Sequence, residues 1–64
     1  MRVEGVTYEI NWKKFHKGAA IFIPCLDGRR AKVTVKRVTD RLRMKVLIKI
    51  CIVEGIRGLR VWRL

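Results

Sequence analysis

The residues of this chain that could do chemistry are cations and aromatics, not catalytic sets. His16 is the single histidine, and the five carboxylates, Glu4, Glu9, Asp27, Asp40 and Glu54, are scattered along the chain. General acid–base or nucleophilic catalysis needs such groups to converge, and no glycine-rich phosphate loop or nucleophile motif accompanies them. Cys25 and Cys51 lie far apart, and with His16 they fall short of the ligand count of a structural zinc site and lack the spacing of a redox pair. His16 sits beside Lys13, Lys14 and Lys17, a surface setting rather than that of a general base. The expectation is a protein that is not an enzyme, needs no cofactor or metal, and keeps both cysteines reduced and structural.

Positive charge is what the chain has in abundance. Sixteen Lys and Arg against five Asp and Glu leave a formal charge of +11 on 64 residues. Such charge repels itself in a compact state and a polyanion relieves the cost, whereas solubility alone needs a net charge of about 2 to 8 in a small domain. One concentration lies between residues 28 and 43, where Arg29, Lys32, Lys36 and Arg43 flank one side of an apolar stripe and Arg30, Arg37 and Arg41 the other. Lys32/Lys36 and Arg37/Arg41 are like-charge pairs one turn apart, each costing about 0.2–0.5 kcal/mol in an isolated helix and only partly relieved by Asp40. That arrangement suits phosphates; a merely solvated face is the competing account.

A second concentration forms if the last two apolar segments make a hairpin with Glu54-Gly55 as its turn. Register then sets Lys49 opposite Arg60 and Leu47 opposite Trp62 on one face, with Ile50 opposite Leu59 and Ile48 opposite Val61 on the other. Opposed cations weaken a sheet unless an anion sits between them, and an indole ring offers a base something to stack on. The competing account places Trp62 in a core beneath an amino-terminal arm, with Lys49 and Arg60 reaching out to water. The predicted nucleic-acid-binding residues are therefore Arg29, Lys32, Lys36, Arg37 and Arg43 on a helix and Lys49, Arg60 and Trp62 on a sheet. DNA or RNA is the expected partner, bound with little sequence preference.

The elements that must position these residues can be read from periodicity. Val6, Tyr8, Ile10 and Trp12 alternate with polar residues, the pattern of a half-buried strand or extended arm, and Trp12 to Phe15 followed by Gly18 suits one helical turn. Ala20 to Pro24 reads as a short buried strand ended by proline. Asp27 is an N-cap for a helix over Gly28–Arg43, whose stripe is Ala31, Val35, Val38 and Leu42. Lys45–Val53 alternates with period two, and Ile56–Arg63 returns from the turn. The predicted fold is α+β: a two-layer β-α-β-β domain, one helix on a three-stranded, mainly antiparallel sheet with the last strand in the centre. Residues 1–18 form a looser amino-terminal arm, residues 19–64 the core, and the outer sheet face is open or covered by the arm.

Size and composition bound the rest. A chain this short buries only about 60% of the surface its unfolded form exposes, so the core is thin and self-association to a homo-oligomer would help it. Half of the residues are apolar and only one is proline, which argues against a disordered basic tail. The start, Met1-Arg2-Val3-Glu4-Gly5, lacks the apolar run of a signal peptide, and Val46 to Val53 is too short to span a bilayer, so a cytoplasmic protein is expected. An anionic membrane is a poor partner, because the stripe that would enter lipid is needed by the sheet.

Two motifs carry a resemblance. Gly18-Ala19-Ala20-Ile21-Phe22-Ile23-Pro24, taken with the ending Gly55-Ile56-Arg57-Gly58-Leu59-Arg60-Val61-Trp62-Arg63, resembles a group of small uncharacterised bacteriophage proteins. These show a glycine, an apolar strand ending in proline, a basic helix and a hairpin closing on Arg-Val-Trp-Arg. The resemblance covers residues 12–64, with Ala20-Ile21 standing where the group has Ser-Phe. It implies expression in the cytoplasm of an infected bacterium and names no activity. In layout alone the chain is similar to a small phage inhibitor of bacterial RNA polymerase, acidic where this chain is basic. What that implies is a runner-up function, binding a host protein to inhibit or redirect it.

Overall fold

The computed structural model describes residues 1–64. In chain order its elements are β1 (Arg2–Val3), β2 (Val6–Thr7), a 3-10 turn at Trp12–Lys14, β3 (Ala20–Pro24), α1 (Gly28–Arg41), β4 (Val46–Val53) and β5 (Ile56–Arg63). One helix, a three-stranded antiparallel sheet and a two-stranded arm make a small α+β domain.

Turn chemistry sets the sheet. Glu54 and Gly55 both have positive φ, 51° and 79°, the hand of a two-residue loop whose twist matches that of the strands it joins. Val53 therefore faces Ile56, and the ladder runs through Ile50↔Leu59, Lys49↔Arg60, Ile48↔Val61 and Leu47↔Trp62, the register predicted above. On its other side β5 pairs with β3, Ile21 facing Val61 and Ile23 facing Leu59, so the order is β3-β5-β4. Pro24 stands at the free edge of β3: Ala19 and Cys25 bond to β5, so the intervening even-numbered residues turn their backbone outward, where a missing N–H costs the ladder nothing.

Helix α1 starts where Asp27 Oδ1 accepts the Arg30 N–H at 3.2 Å. Its buried stripe is Gly28, Ala31, Val35 and Thr39: Ala31 and Val35 lie where predicted, Thr39 takes the place of Val38, and Leu42 falls outside the stripe. Val38 is half-buried and Leu42 is 43% exposed. Thr39 can occupy the core because its hydroxyl bonds back to the carbonyls of Val35 and Lys36, both at 3.1 Å, leaving the methyl to pack. The helix also ends two residues early. Arg43 N–H donates to Asp40 O at 3.0 Å and Met44 N–H to Thr39 O at 2.9 Å, a Schellman cap that needs a left-handed residue; Arg43 supplies it at φ 58°. Ile50, predicted to lie under the helix, is beside its first residue, Gly28, and stays 52% exposed.

The arm departs most from expectation. No strand runs from Val6 to Trp12; instead Val6–Thr7 pairs with Arg2–Val3 across Glu4-Gly5, whose φ values of 52° and 77° repeat those of Glu54-Gly55. Two tethers dock this hairpin. The Glu4 carboxylate accepts the N–H groups of Leu26 at 2.7 Å and Asp27 at 2.6 Å, just ahead of α1, and the Tyr8 hydroxyl donates to Pro24 O at 2.8 Å. Val3 and Phe15 join the core formed by Ile23, Cys25, Ala31, Val35, Ile48, Leu59 and Val61. Trp12 meets Phe15 edge to face at 5.9 Å, and Arg63 Nη1 donates to Phe15 O at 2.9 Å. The arm thus extends the helix layer and leaves the opposite sheet face open.

Two glycines make opposite predictions. A Cβ on Gly58 would lie 2.5 Å from Ile23 O and 2.9 Å from Pro24 Cα, backbone atoms that cannot retreat. Gly58→Ala should cost about 1–3 kcal/mol in urea unfolding. On Gly28 the Cβ would meet only the half-exposed Ile50 side chain, which can swing away, so Gly28→Ala should stay within about 1 kcal/mol of the wild type.

Candidate nucleic-acid interface

Cross-strand partners share a sheet face, so register alone assembles the open side. Its first row is Ala20–Trp62–Leu47, the second Phe22–Arg60–Lys49, the third Pro24–Gly58–Cys51, and Ile56 with Val53 closes it at the turn. Gly58 has no side chain, and the Phe22 ring lies across the space, its Cζ 2.7 Å from where a Cβ would stand. Phe22 and Trp62 are diagonal neighbours on adjacent strands, a separation of roughly 7–8 Å between backbones. Both rings are half-buried, while Lys49, Leu47 and Ile56 are exposed. The arm's Tyr8, Ile10 and Trp12 pack against the core on the helix side, and its residues 8–11 border Ala20 and Phe22 at the β3 edge.

No carboxylate forms an ion pair with Lys49 or Arg60 of this face. Glu4 and Asp27 are held at the start of α1, Asp40 pairs with Lys36 at 2.9 Å, Glu54 is in the turn, and Glu9 of the arm lines a cavity at the β3 edge with Ala20 and Phe22. Arg60 lies half-buried between Phe22 and Lys49, and its Nε is buried with no hydrogen-bond partner in the chain. A guanidinium and an ammonium are thus opposed beside two aromatic rings, with donors to spare.

The helical cations form a separate set. Arg29, Lys32, Lys36 and Arg37 are exposed and border one shallow hollow with Val33 and Asp40. Lys36–Asp40 is the only ion pair in the molecule, and both side chains are more than half exposed, so it contributes at most a few tenths of a kcal/mol. This set faces away from the sheet, whereas Lys49, Arg60 and Trp62 face away from the helix. Seven of the eight predicted residues therefore form two surfaces on opposite sides of a body whose shortest Cα dimension is 18 Å. Arg43 belongs to the helix cap, where its backbone conformation has a structural role of its own.

Phe22 was missed in the sequence. Reading Ala20–Pro24 as uniformly buried hid the fact that alternate residues of an antiparallel strand face opposite ways; counting two residues from Ala20, opposite Trp62, finds it. Cys25 is poorly placed for nucleophilic work. Burial, with the carboxylates of Glu4 and Asp27 adding to it, pushes the Cys25 thiol up and holds it protonated. Cys51 is half-buried in the third row of the sheet face. No group of three or more His, Cys, Asp or Glu side chains converges on a point that could hold a metal ion. Comparison with protein-family models, with curated proteins and with solved structures finds no match for this chain.

Two expectations follow from the local chemistry. A non-glycine residue in the left-handed region costs roughly 1 kcal/mol, so Arg43→Gly should stabilise the fold by about 0.5–1 kcal/mol in urea titrations. A Cys25 thiol that keeps its proton when folded and loses it when unfolded makes stability fall as pH rises through the ordinary thiol range. Unfolding midpoints measured across that range should fall more steeply for the wild type than for Cys25→Ala.

Proposed function

We propose that this domain binds nucleic acid without catalysis and with little sequence specificity, taking single strands on its open sheet face. The observation that carries the reading is the juxtaposition, on one open sheet face, of Phe22 and Trp62 with the opposed cations Lys49 and Arg60, neither of them paired with a carboxylate. Every base has a π-face, so aromatic rings bind bases regardless of identity, while neighbouring cations hold the phosphates. The near-absence of amide side chains supports low specificity: the chain has no glutamine, and its single asparagine, Asn11, caps the 3-10 turn through its own side chain. Bidentate reading of adenine by Asn or Gln is thereby excluded from this face.

Helix α1 has a subsidiary role in this reading. Arg29, Lys32, Lys36 and Arg37 offer charge without aromatic neighbours, which suits backbone phosphates of either single or double strands. One short strand cannot touch both faces, so the two contribute separately. The cytoplasm of an infected bacterium, implied by the phage resemblance, holds abundant nucleic acid of both kinds.

Fluorescence anisotropy with labelled single- and double-stranded oligonucleotides tests the reading. With about four phosphates neutralised, log affinity for single strands should fall against log salt with a slope near −3. Trp62→Ala and Phe22→Ala should each weaken single-strand binding by about 1–3 kcal/mol with the salt slope unchanged. Lys49→Ala should flatten that slope by about 0.7. Equal losses on single and double strands would remove the stacking role. Absence of binding at low salt, with a nuclease-resistant complex to a host protein, would replace this reading with the inhibitor one.

A further inference from the structure

The two edges of the three-stranded sheet are treated differently. On β3 the outward groups include Pro24, which has no N–H, and its carbonyl is taken by the Tyr8 hydroxyl from the arm. Edge β4 has no such cover. Leu64 N–H donates to Lys45 O at 2.9 Å, so by alternation residues 45, 47, 49, 51 and 53 turn their backbone groups toward β5. Val46, Ile48, Ile50 and Ile52 turn theirs outward, and no hydrogen bond from elsewhere in the chain reaches them. Beside this bare ladder Ile50 is 52% and Ile52 64% exposed on the helix side, and Leu47 44% on the other. An eight-residue edge with unbroken register and no proline carries only one of the devices that keep sheet edges apart, the single charge of Lys49.

We propose that β4 pairs antiparallel with β4 of a second copy of this chain, about a two-fold axis at Ile50, to give a continuous six-stranded sheet. Unpaired backbone groups in a row call for a strand, and the flanking side chains say which. On the helix side the incoming strand must be apolar, and on the other side it must not set a cation against Lys49. Strand β4 meets both demands in one register. Outward groups meet only when even-numbered residues oppose even-numbered residues. With the axis at Ile50, Ile50 faces Ile50, Ile48 faces Ile52, Leu47 faces Val53 and Lys49 faces Cys51. Val46 then faces Glu54, which comes within one position of Lys45 of the second copy. Sliding one copy by two residues either opposes Lys49 to Lys49 or sets Glu54 against Ile48. The pairing places both helices on one side and joins the two open faces into a single surface.

Two copies at +11 each repel, so the association strengthens as salt rises, the opposite sign to nucleic-acid binding. The test is sedimentation velocity on nucleic-acid-free protein across a range of salt. A monomer–dimer equilibrium shifting toward dimer with salt is the expected result. Ile52→Lys should return the protein to monomer with an unchanged circular dichroism spectrum. In a background with Cys25→Ala and Cys51→Ala, Ile50→Cys should cross-link to a dimer under mild oxidation, since directly opposed residues lie about 5.5 Å apart, within disulfide reach. The cross-link decides the matter should Ile52→Lys unfold. A wild type that stays monomeric at every salt concentration, or a dimer without the Ile50→Cys cross-link, overturns the proposal. Neither result depends on whether the protein binds nucleic acid.

Discussion

Leu59 and Val61, two residues of one strand with no exposed surface, hold the domain together. They sit on β5 between Ile21 and Ile23 on one side and Ile48 and Ile50 on the other, beneath the buried Val35 of α1. The fully buried apolar side chains are few for a chain so charged, and each large one contributes about 1.5–3 kcal/mol. So small a core can be closed on one side of a sheet only. The arm adds Val3 and Phe15 to that side, held there by Glu4 and Arg63. Once the helix and the arm are spent on one face, nothing remains to cover the other, and its openness is a consequence of this thin core.

That asymmetry also divides the charge. Carboxylates are used at α1: Glu4 and Asp27 gather where the helix dipole favours negative charge, and Asp40 answers Lys36 one turn later. The cations of the sheet face are paired with none. Cations on α1 are widely exposed and individually weak, whereas Arg60 is half-buried between Phe22 and Lys49 with an unmatched donor, a setting where an anion gains more from each contact.

Much of the fold was legible from patterns that have one solution. Period two over Val46–Val53 and a glycine at the turn leave little choice of register, and the register itself assigned Lys49, Arg60 and Trp62 to one face. Helix α1 was legible in type but not in rotation. Thr39 reads as polar, yet its hydroxyl is satisfied inside the helix, so the buried stripe runs through it and bypasses Leu42. The end of α1 was hidden because an arginine does the work that glycine usually does. Strands of two residues are below what periodicity can resolve, which is why the arm hairpin escaped. A signal was present all the same: Val3-Glu4-Gly5-Val6 repeats the quartet Val53-Glu54-Gly55-Ile56, and both fold as the same turn.

The order β3-β5-β4 carries a consequence in time. The central strand is the last of the three to be synthesised, and Ala20 cannot find its partner until Trp62 exists. While the chain is emerging from a ribosome, β3 has no neighbour and α1 has no sheet to rest on; its like-charge pairs one turn apart and its β-branched residues disfavour an isolated helix. Only the β1–β2 hairpin can form early, and two-residue strands hold it weakly. Folding is therefore close to all-or-none, triggered by the appearance of β5, and a truncation within that strand leaves not a smaller domain but an unfolded, strongly cationic chain.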